Sequence, residues 1–405
     1  MSEGPGRPTA PVDGVGHDAP VGGGPLVGVR VVELAGIGPG PFAAMMLADM
    51  GADVVRIDRA GGRQDAWASG PATDFLGRGR RSVAVDLKLP EGTAAVLELT
   101  ARADAVIEGY RPGVVERLGI GPEVCLAGNP RLVYARMTGW GQSGPWADRA
   151  GHDLNYVGLS GVLDAIGPRD GPPVPPLNLL GDFGGGGMLC AFGIVCALME
   201  ASRSGVGQVV DASVVDGTIL LSTMIRQMRA DGSWQDRRES NLLDGGAPFY
   251  SVYETSDGGH MAVGALEDKF FEEFTRHFGL DVAGLGDRHD RGAWPAWRTR
   301  IAARFRTGTR QEWSDLFAGT DACVTPVLTF EEAPLHPHNR DRHGFVRVDG
   351  HEQPAPAPRL SRTPGIVRDG APSPGRDLDD VATGWGLDPA QVSAWRDAGA
   401  FGPAG

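Results

Sequence analysis

From Val27 to Trp140 the chain alternates between two kinds of segment, and this alternation fixes the fold class. VRVVELA, ADVVRID, RSVAVDL, DAVIEGY and RLVYARM are short, nearly continuous apolar runs of the kind that form strands buried on both faces. PFAAMMLADMG, EGTAAVLELTARA and GPEVCLAGN lie between them and read as helices or helix-like turns. Strand–helix alternation predicts an α/β domain with a mainly parallel sheet and right-handed crossovers. Farther on, MLCAFGIVCALMEA reads as a buried helix to about Ser202, and GQVVDASVVDGTILLSTMIRQMRA as a strand followed by one long helix.

A second unit starts near Pro248. There YSVYETSDGGHMAVGAL has the form of a hairpin, with Asp257, Gly258 and Gly259 supplying the turn. DKFFEEFTRHFG, AWPAWRTRIAARF and RQEWSDLFAG read as helices and ACVTPVLTF as a strand, which makes residues 248–332 a smaller α+β domain. The large domain is expected over 25–225, with a linker at 226–247. The segment 333–405, with the Pro-rich PAPAPRLSRTPG and a helix in DPAQVSAWRDAG, is expected to return to the large domain. Residues 1–24 have neither a basic n-region nor an apolar h-region and read as a flexible tail.

With 405 residues there is room for two domains and a large core. A formal charge of −13 argues against nucleic acid or an anionic membrane surface as partner, and no stretch is expected to reach the roughly 20 apolar residues of a membrane span. Cys125, Cys190, Cys196 and Cys323 are scattered without zinc or disulfide spacing, so reduced thiols and a cytoplasmic location are expected. His336, His338 and His343 lie in a polar loop without an accompanying carboxylate or cysteine pattern, and no metal is assigned. G-x-S-x-G and P-loop patterns are absent from the sequence.

Chemistry concentrates in AGHDLNY and PPLNLLGDFGGGG. His152 follows a strand and a Gly-rich loop, a usual location for catalytic groups, and imidazole is the commonest general base near neutral pH. Asp153 and Asn155 accompany it. Asp182 ends an apolar run ahead of Phe183 and four glycines, which permit close approach of a substrate or another backbone. A helix beginning just beyond would place Asp182 by free N–H groups suited to an enolate oxygen, and Met188 could form an adaptable acyl surface. Helix capping and ordinary core packing are the competing explanations for these residues. Gly36-Ile-Gly38-Pro-Gly40-Pro, with Asp58 farther on, imitates a dinucleotide fingerprint, but Pro39 and Pro41 remove the donors that a pyrophosphate needs. Arg59, Arg78, Arg80, Arg81, Lys88, Arg111 and Arg117 are the cations of the first domain's loops. Several follow strand ends, where a phosphate-bearing ligand would sit.

Together with LVGVRVVELAGIGPGPFAAMMLADMGADVVRIDR, EGYRPGVVERLGIGP, YARMTGWGQSGP, LLDGGAPFY and GTDACVTPVLTF, these motifs resemble the α-methylacyl-CoA racemase branch of the class III CoA-transferase family, over roughly Pro25 to Arg359. The resemblance implies a Rossmann-like large domain and a small domain in an interlocked homodimer, with the active site between the large domain of one chain and the small domain of the other. It implies an acyl-CoA substrate whose CoA moiety takes the place of any separate cofactor. His152 and Asp182 match the catalytic bases, and Asn178 and Glu267 match supporting positions, with Glu267 reaching His152 from the partner chain and Asp153 in the catalytic group. Arg59, Lys88, Arg117 and Gly151 match CoA-contacting positions, with Val85 and Leu87 beside the adenosine. GALEDKF departs from the family pattern after its glutamate, where proline and glutamine are expected. The implied reaction interconverts (2R)- and (2S)-2-methylacyl-CoA. The alternatives are CoA transfer through an Asp182 acyl anhydride, in a branch that usually lacks histidine at the position of His152, and a CoA-binding protein without turnover.

Overall fold

The computed structural model describes residues 23–61 and 70–402, so the tail expected over 1–24 lies outside the described residues except for Gly23 and Gly24. The five apolar runs form β1 (Arg30–Leu34), β2 (Asp53–Arg59), β3 (Arg81–Val85), β4 (Ala105–Glu108) and β5 (Val133–Thr138), and β6 is Gln208–Ser213. Together they make one sheet in the order β3-β2-β1-β4-β5-β6 with every pairing parallel. This is the doubly wound Rossmann order, in which the chain reverses direction between β1 and β4 and leaves a crevice at the carboxyl ends of those strands.

Alternation along each strand divides the core. Val32, Leu34, Val55 and Ile57 face a cluster that includes Ala95 and Leu99 of α2 (Pro90–Thr100) and Val115 of α3 (Val114–Arg117), with Cys125 of α4 (Pro122–Gly128). Val31, Val54 and Ala105 face the other cluster, with Ala43 and Leu47 of α1 (Pro39–Asp49). α5 is Asp153–Leu159, and α6 (Leu189–Ser204) contributes Cys190 and Ile194 to the second cluster.

Several expectations need correction here. The helix expected after the glycines forms as α6, but helical structure starts earlier: Leu179–Met188 is a π-helix that continues directly into α6, so Asp182 lies in the first turn of the π-helix and not at the start of α6. The resulting 26-residue segment Leu179–Ser204 has enough length and apolar character to cross a membrane, contrary to the sequence expectation. Its buried face packs against β5, β6 and α1, but it is not a wholly buried helix, because Phe192 and Met199 are exposed. The single long helix expected after β6 is two, α7 (Val214–Leu221) and α8 (Thr223–Ala230), so the expected linker at 226 begins inside a helix.

The hairpin forms as β7 (Tyr250–Glu254) and β8 (His260–Gly264), and the three-residue β9 (Val324–Pro326) completes an antiparallel sheet. An aromatic core covers it, from α9 (Asp268–Phe278), α10 (Trp294–Phe305) and α11 (Arg310–Phe317), in which Phe278 and Phe305 lie 4.3 Å apart. Beyond α12 (Pro337–Asp341) comes a hairpin absent from the sequence reading, β10 (Phe345–Val348) with β11 (His351–Pro354). Then α13 (Leu378–Trp385) and α14 (Pro389–Asp397) place Trp385 and Trp395 in the core beside β3.

The glycine run is held by close approach on two sides. A Cβ on Gly187 would stand 2.7 Å from the Pro39 carbonyl oxygen of α1, and a Cβ on Gly217 of α7 would stand 1.8 Å from the Gly185 oxygen. Gly217→Ala therefore overpacks this contact, and a destabilisation of about 1–3 kcal/mol is expected as a lowered thermal midpoint. An unchanged midpoint would refute the close helix contact.

Candidate active site

The site lies at the crevice between β1 and β4. α1 begins after Gly38, whose φ of +71° suits glycine, and a Cβ there would stand 3.2 Å from Oδ2 of Asp182. The glycine-proline loop that imitates a dinucleotide turn thus abuts the candidate base, a role its sequence did not suggest. Phe42 and Phe183 stack with centroids 4.5 Å apart and fasten α1 to the π-helix. Leu177, just before this helix, adopts φ +59°, a sparsely populated conformation for a leucine. The backbone N–H of Phe183 then donates to the Asn178 carbonyl at 3.1 Å, the i to i+5 bond of a π-turn.

His152 comes from another segment. It caps α5 from an extended backbone, with its N–H donating to Oδ1 of Asn155 at 3.0 Å, and its side chain is exposed. Asp153 ties the two segments together: its Oδ1 accepts from the Asp182 N–H at 2.7 Å, and the Gly181 N–H donates to the same carboxylate. Gly181 must lack a side chain here, because a Cβ would stand 2.3 Å from that oxygen.

These bonds divide the roles of the two carboxylates. Burial raises the pKa of Asp153, but two backbone donors oppose the rise by stabilising its charge. Among the described residues no hydrogen bond reaches the side chain of Asp182. Its pKa is pushed up to about 6, first by burial and then by the negative charge of Asp153, with His152 acting in the opposite direction. Of the two, Asp153 has the better-stabilised charge and Asp182 the more strongly favoured protonated form. The Asp182 N–H is committed to Asp153, which removes it from the donors expected for an enolate oxygen.

Tyr156, absent from the sequence-based site, lies one helical turn after His152. Its hydroxyl donates to the Gly151 carbonyl, its ring occupies the space a side chain on Gly139 would need, and its pKa is raised to about 12 by burial and then by Asp182. The signal was the i, i+4 spacing within HDLNY. On the other side of α5, an open cavity of about 480 Å³ is lined by Trp140, Trp146, Arg149, Leu154 and Leu159.

The remaining expected residues divide by exposure. Arg59, Lys88, Arg111 and Arg117 are exposed, whereas Val85 is buried and can border a ligand only through its backbone; Leu87 is half-buried. Arg78 and Arg80 are not phosphate ligands: both are buried, Arg78 paired with Asp49 at 2.6 Å and Arg80 with Glu33. Arg81 pairs with Asp53 at 2.5 Å. Met188 and Asn178 are exposed beside the site segment. Glu267 is exposed at the start of α9, and among the described residues its carboxylate makes no hydrogen bond to His152. No group of residues suited to a metal ion occurs among the described residues.

Residues 26–378 match the family model described as CoA-transferase family III. Alpha-methylacyl-CoA racemase of Mus musculus is 48% identical over 372 residues, covering 91% of this chain and 95% of that protein. The Homo sapiens protein of the same name is 48% identical over 342 residues, covering 84% and 88%. The crystal structure of a CAIB/BAIF family protein from Brucella suis matches with a TM-score of 0.78 at 25% identity, covering 90% of this chain and 100% of that one.

The raised pKa of Asp182 has a consequence for stability. An unstructured aspartate titrates at about 3.9, so the folded state holds this proton more tightly, and the associated stability is lost as pH rises through about 6. Asp182→Asn is expected to match the parent thermal midpoint near pH 4 and to exceed it above pH 6. Equal midpoints at both pH values would show that the carboxyl is not perturbed.

Proposed function

This chain belongs to CoA-transferase family III, and from that premise we propose that it is an isomerase interconverting the (2R) and (2S) epimers of 2-methylacyl-CoA thioesters. The observation that carries this reading is the pairing of an exposed imidazole, His152, with a carboxyl at Asp182 whose pKa is raised to about 6. The names of the 48%-identical relatives support it.

The α-proton of a thioester is a very weak acid, so removal needs a positioned base and stabilisation of the enolate. In one direction neutral His152 takes the proton from one face while protonated Asp182 returns one to the opposite face, which inverts the carbon. In the other direction charged Asp182 is the base and the imidazolium the acid. A carboxyl titrating near 6 can serve in both states, whereas one of ordinary pKa would rarely carry the proton. Asp153 acts through Asp182 and is a positioning residue. The reaction calls for neither a redox cofactor nor a metal, and CoA enters as part of the substrate.

The nucleotide end is assigned to Arg59, Lys88 and Arg117, exposed cations near the carboxyl ends of the strands; Gly151 is assigned to the CoA path near His152. The cavity beside α5 suits the acyl group, and Met188, exposed at the end of the site segment, is assigned to the acyl surface. Asn178 is assigned a supporting role.

A homodimer belongs to this reading. Phe192, Met199, Leu220 and Met224 are exposed apolar side chains on α6, α7 and α8, the kind of residue a subunit interface covers, and exposed Glu267 is assigned to His152 of a second copy. A cytoplasmic location fits the four free thiols, and neither nucleic acid nor membrane is a partner. Light scattering should give twice the chain mass; a monomer would refute the assembly.

The test of function is incubation of one pure epimer of a 2-methylacyl-CoA in D2O with a free carboxylic acid present, followed by NMR. Deuterium should enter the α-carbon as chirality is lost. His152→Ala should reduce that rate by about 100- to 10,000-fold. Retention of the α-proton with CoA passing to the added acid would instead identify Asp182 as a transferase nucleophile.

A further inference from the structure

Residues 400–402 lie beyond the family-model match, which ends at 378. In the structure they add a short antiparallel segment to the exposed edge of the sheet. The Asp86 N–H donates to the Ala400 carbonyl at 2.9 Å, the Gly402 N–H donates to the Ala84 carbonyl at 3.0 Å, and Phe401 bridges Val85 between them. Val85 is in turn the parallel partner of Arg59. Arg59, Val85 and Phe401 are therefore neighbours across three adjacent backbones, and Gly402 passes close enough to Ala60 that a Cβ on it would stand 3.0 Å from the Ala60 Cα.

The side chains at this edge have complementary chemistry. Val85 is consumed by the core. Phe401 and Leu87 pack against the same core while remaining half-buried, so each keeps apolar surface at the edge. Arg59 and Lys88 are exposed there, and among the described residues neither forms an ion pair. A flat apolar surface flanked by two cations without acidic partners matches a nucleotide, whose base offers a π-face and whose phosphates take the cations.

We infer that Phe401, with Leu87, forms the surface on which the adenine of a CoA thioester packs, so that residues beyond the family-model match complete its nucleotide subsite. This rests on the assignment of Arg59 and Lys88 to CoA given above. The subsite holds the nucleotide end of the substrate, so its contribution is the same in the ground state and the transition state. Its loss raises KM and leaves kcat unchanged.

The test uses Phe401→Leu, which keeps apolar packing but removes the π-face, and Phe401→Trp, which enlarges it, both in the full chain. Phe401→Leu should raise KM for a 2-methylacyl-CoA about 5- to 10-fold, the lower end of base–aromatic stacking, and Phe401→Trp should hold or lower it. Neither should alter the kinetics of the same acyl group on pantetheine, which has no nucleotide. Equal changes with both thioesters would reveal a merely structural role and overturn the inference, as would an unchanged KM for the CoA thioester. Calorimetry with CoA and with pantetheine keeps the two readings separable. If the protein racemises neither thioester, the functional reading fails, while a selective loss of CoA affinity in Phe401→Leu still supports the subsite and its absence overturns it.

Discussion

The active-site geometry depends on one carboxylate accepting two backbone hydrogen bonds. Asp153 takes the N–H groups of Gly181 and Asp182 and so joins the α5 segment to the first turn of the π-helix. The candidate bases are adjacent to this junction: His152 is the residue before the acceptor, and Asp182 carries one of the donors. The junction thus holds the two side chains to neighbouring segments, and its negative charge adds to the burial that raises the pKa of Asp182. Losing it would leave buried donors unsatisfied and release both bases at once.

The glycines serve the same arrangement from the other side. Gly185 and Gly187 lie against α7 and α1 at distances no side chain tolerates, Gly186 is nearly as close to both, and the π-helix turn aims Asp182 at Gly38. Proline and glycine at the start of α1 make a poor pyrophosphate cradle, yet they bring a compact backbone beside a carboxyl. The Asp182 carboxyl is thereby partly buried without being enclosed, and this burial is the first cause of its raised pKa.

Much of the large sheet was legible because its strands are buried on both faces and stand out as valine-rich runs bounded by helices. His152 and Asp182 were legible as a pair of motifs. Their connection through Asp153 was not, because a hydrogen bond across 29 residues of sequence leaves no periodic trace. Arg78 and Arg80 misled for a related reason: in sequence they look like loop cations, and only the fold buries them opposite Asp49 and Glu33. The π-helix was missed because four consecutive glycines signal a break, and tertiary contacts with α1 and α7 overrule that weak propensity. The β10–β11 hairpin, HGFVRVDGHEQPAP in sequence, has too little apolar alternation to be recognised.

The segment at 400–402 also bears on how the protein is made. β3 is an edge strand with apolar residues at Val83 and Val85, and its unpaired backbone is a template for pairing with other chains until something covers it. Its cover is synthesised long afterwards. At about 5–20 residues per second, the roughly 320 residues from Val85 to Phe401 occupy tens of seconds on the ribosome. During that interval the nascent sheet is complete at its β1–β4 centre and open at its β3 margin. Chaperone dependence of the newborn chain would accordingly centre on this edge rather than on the glycine-rich catalytic segment.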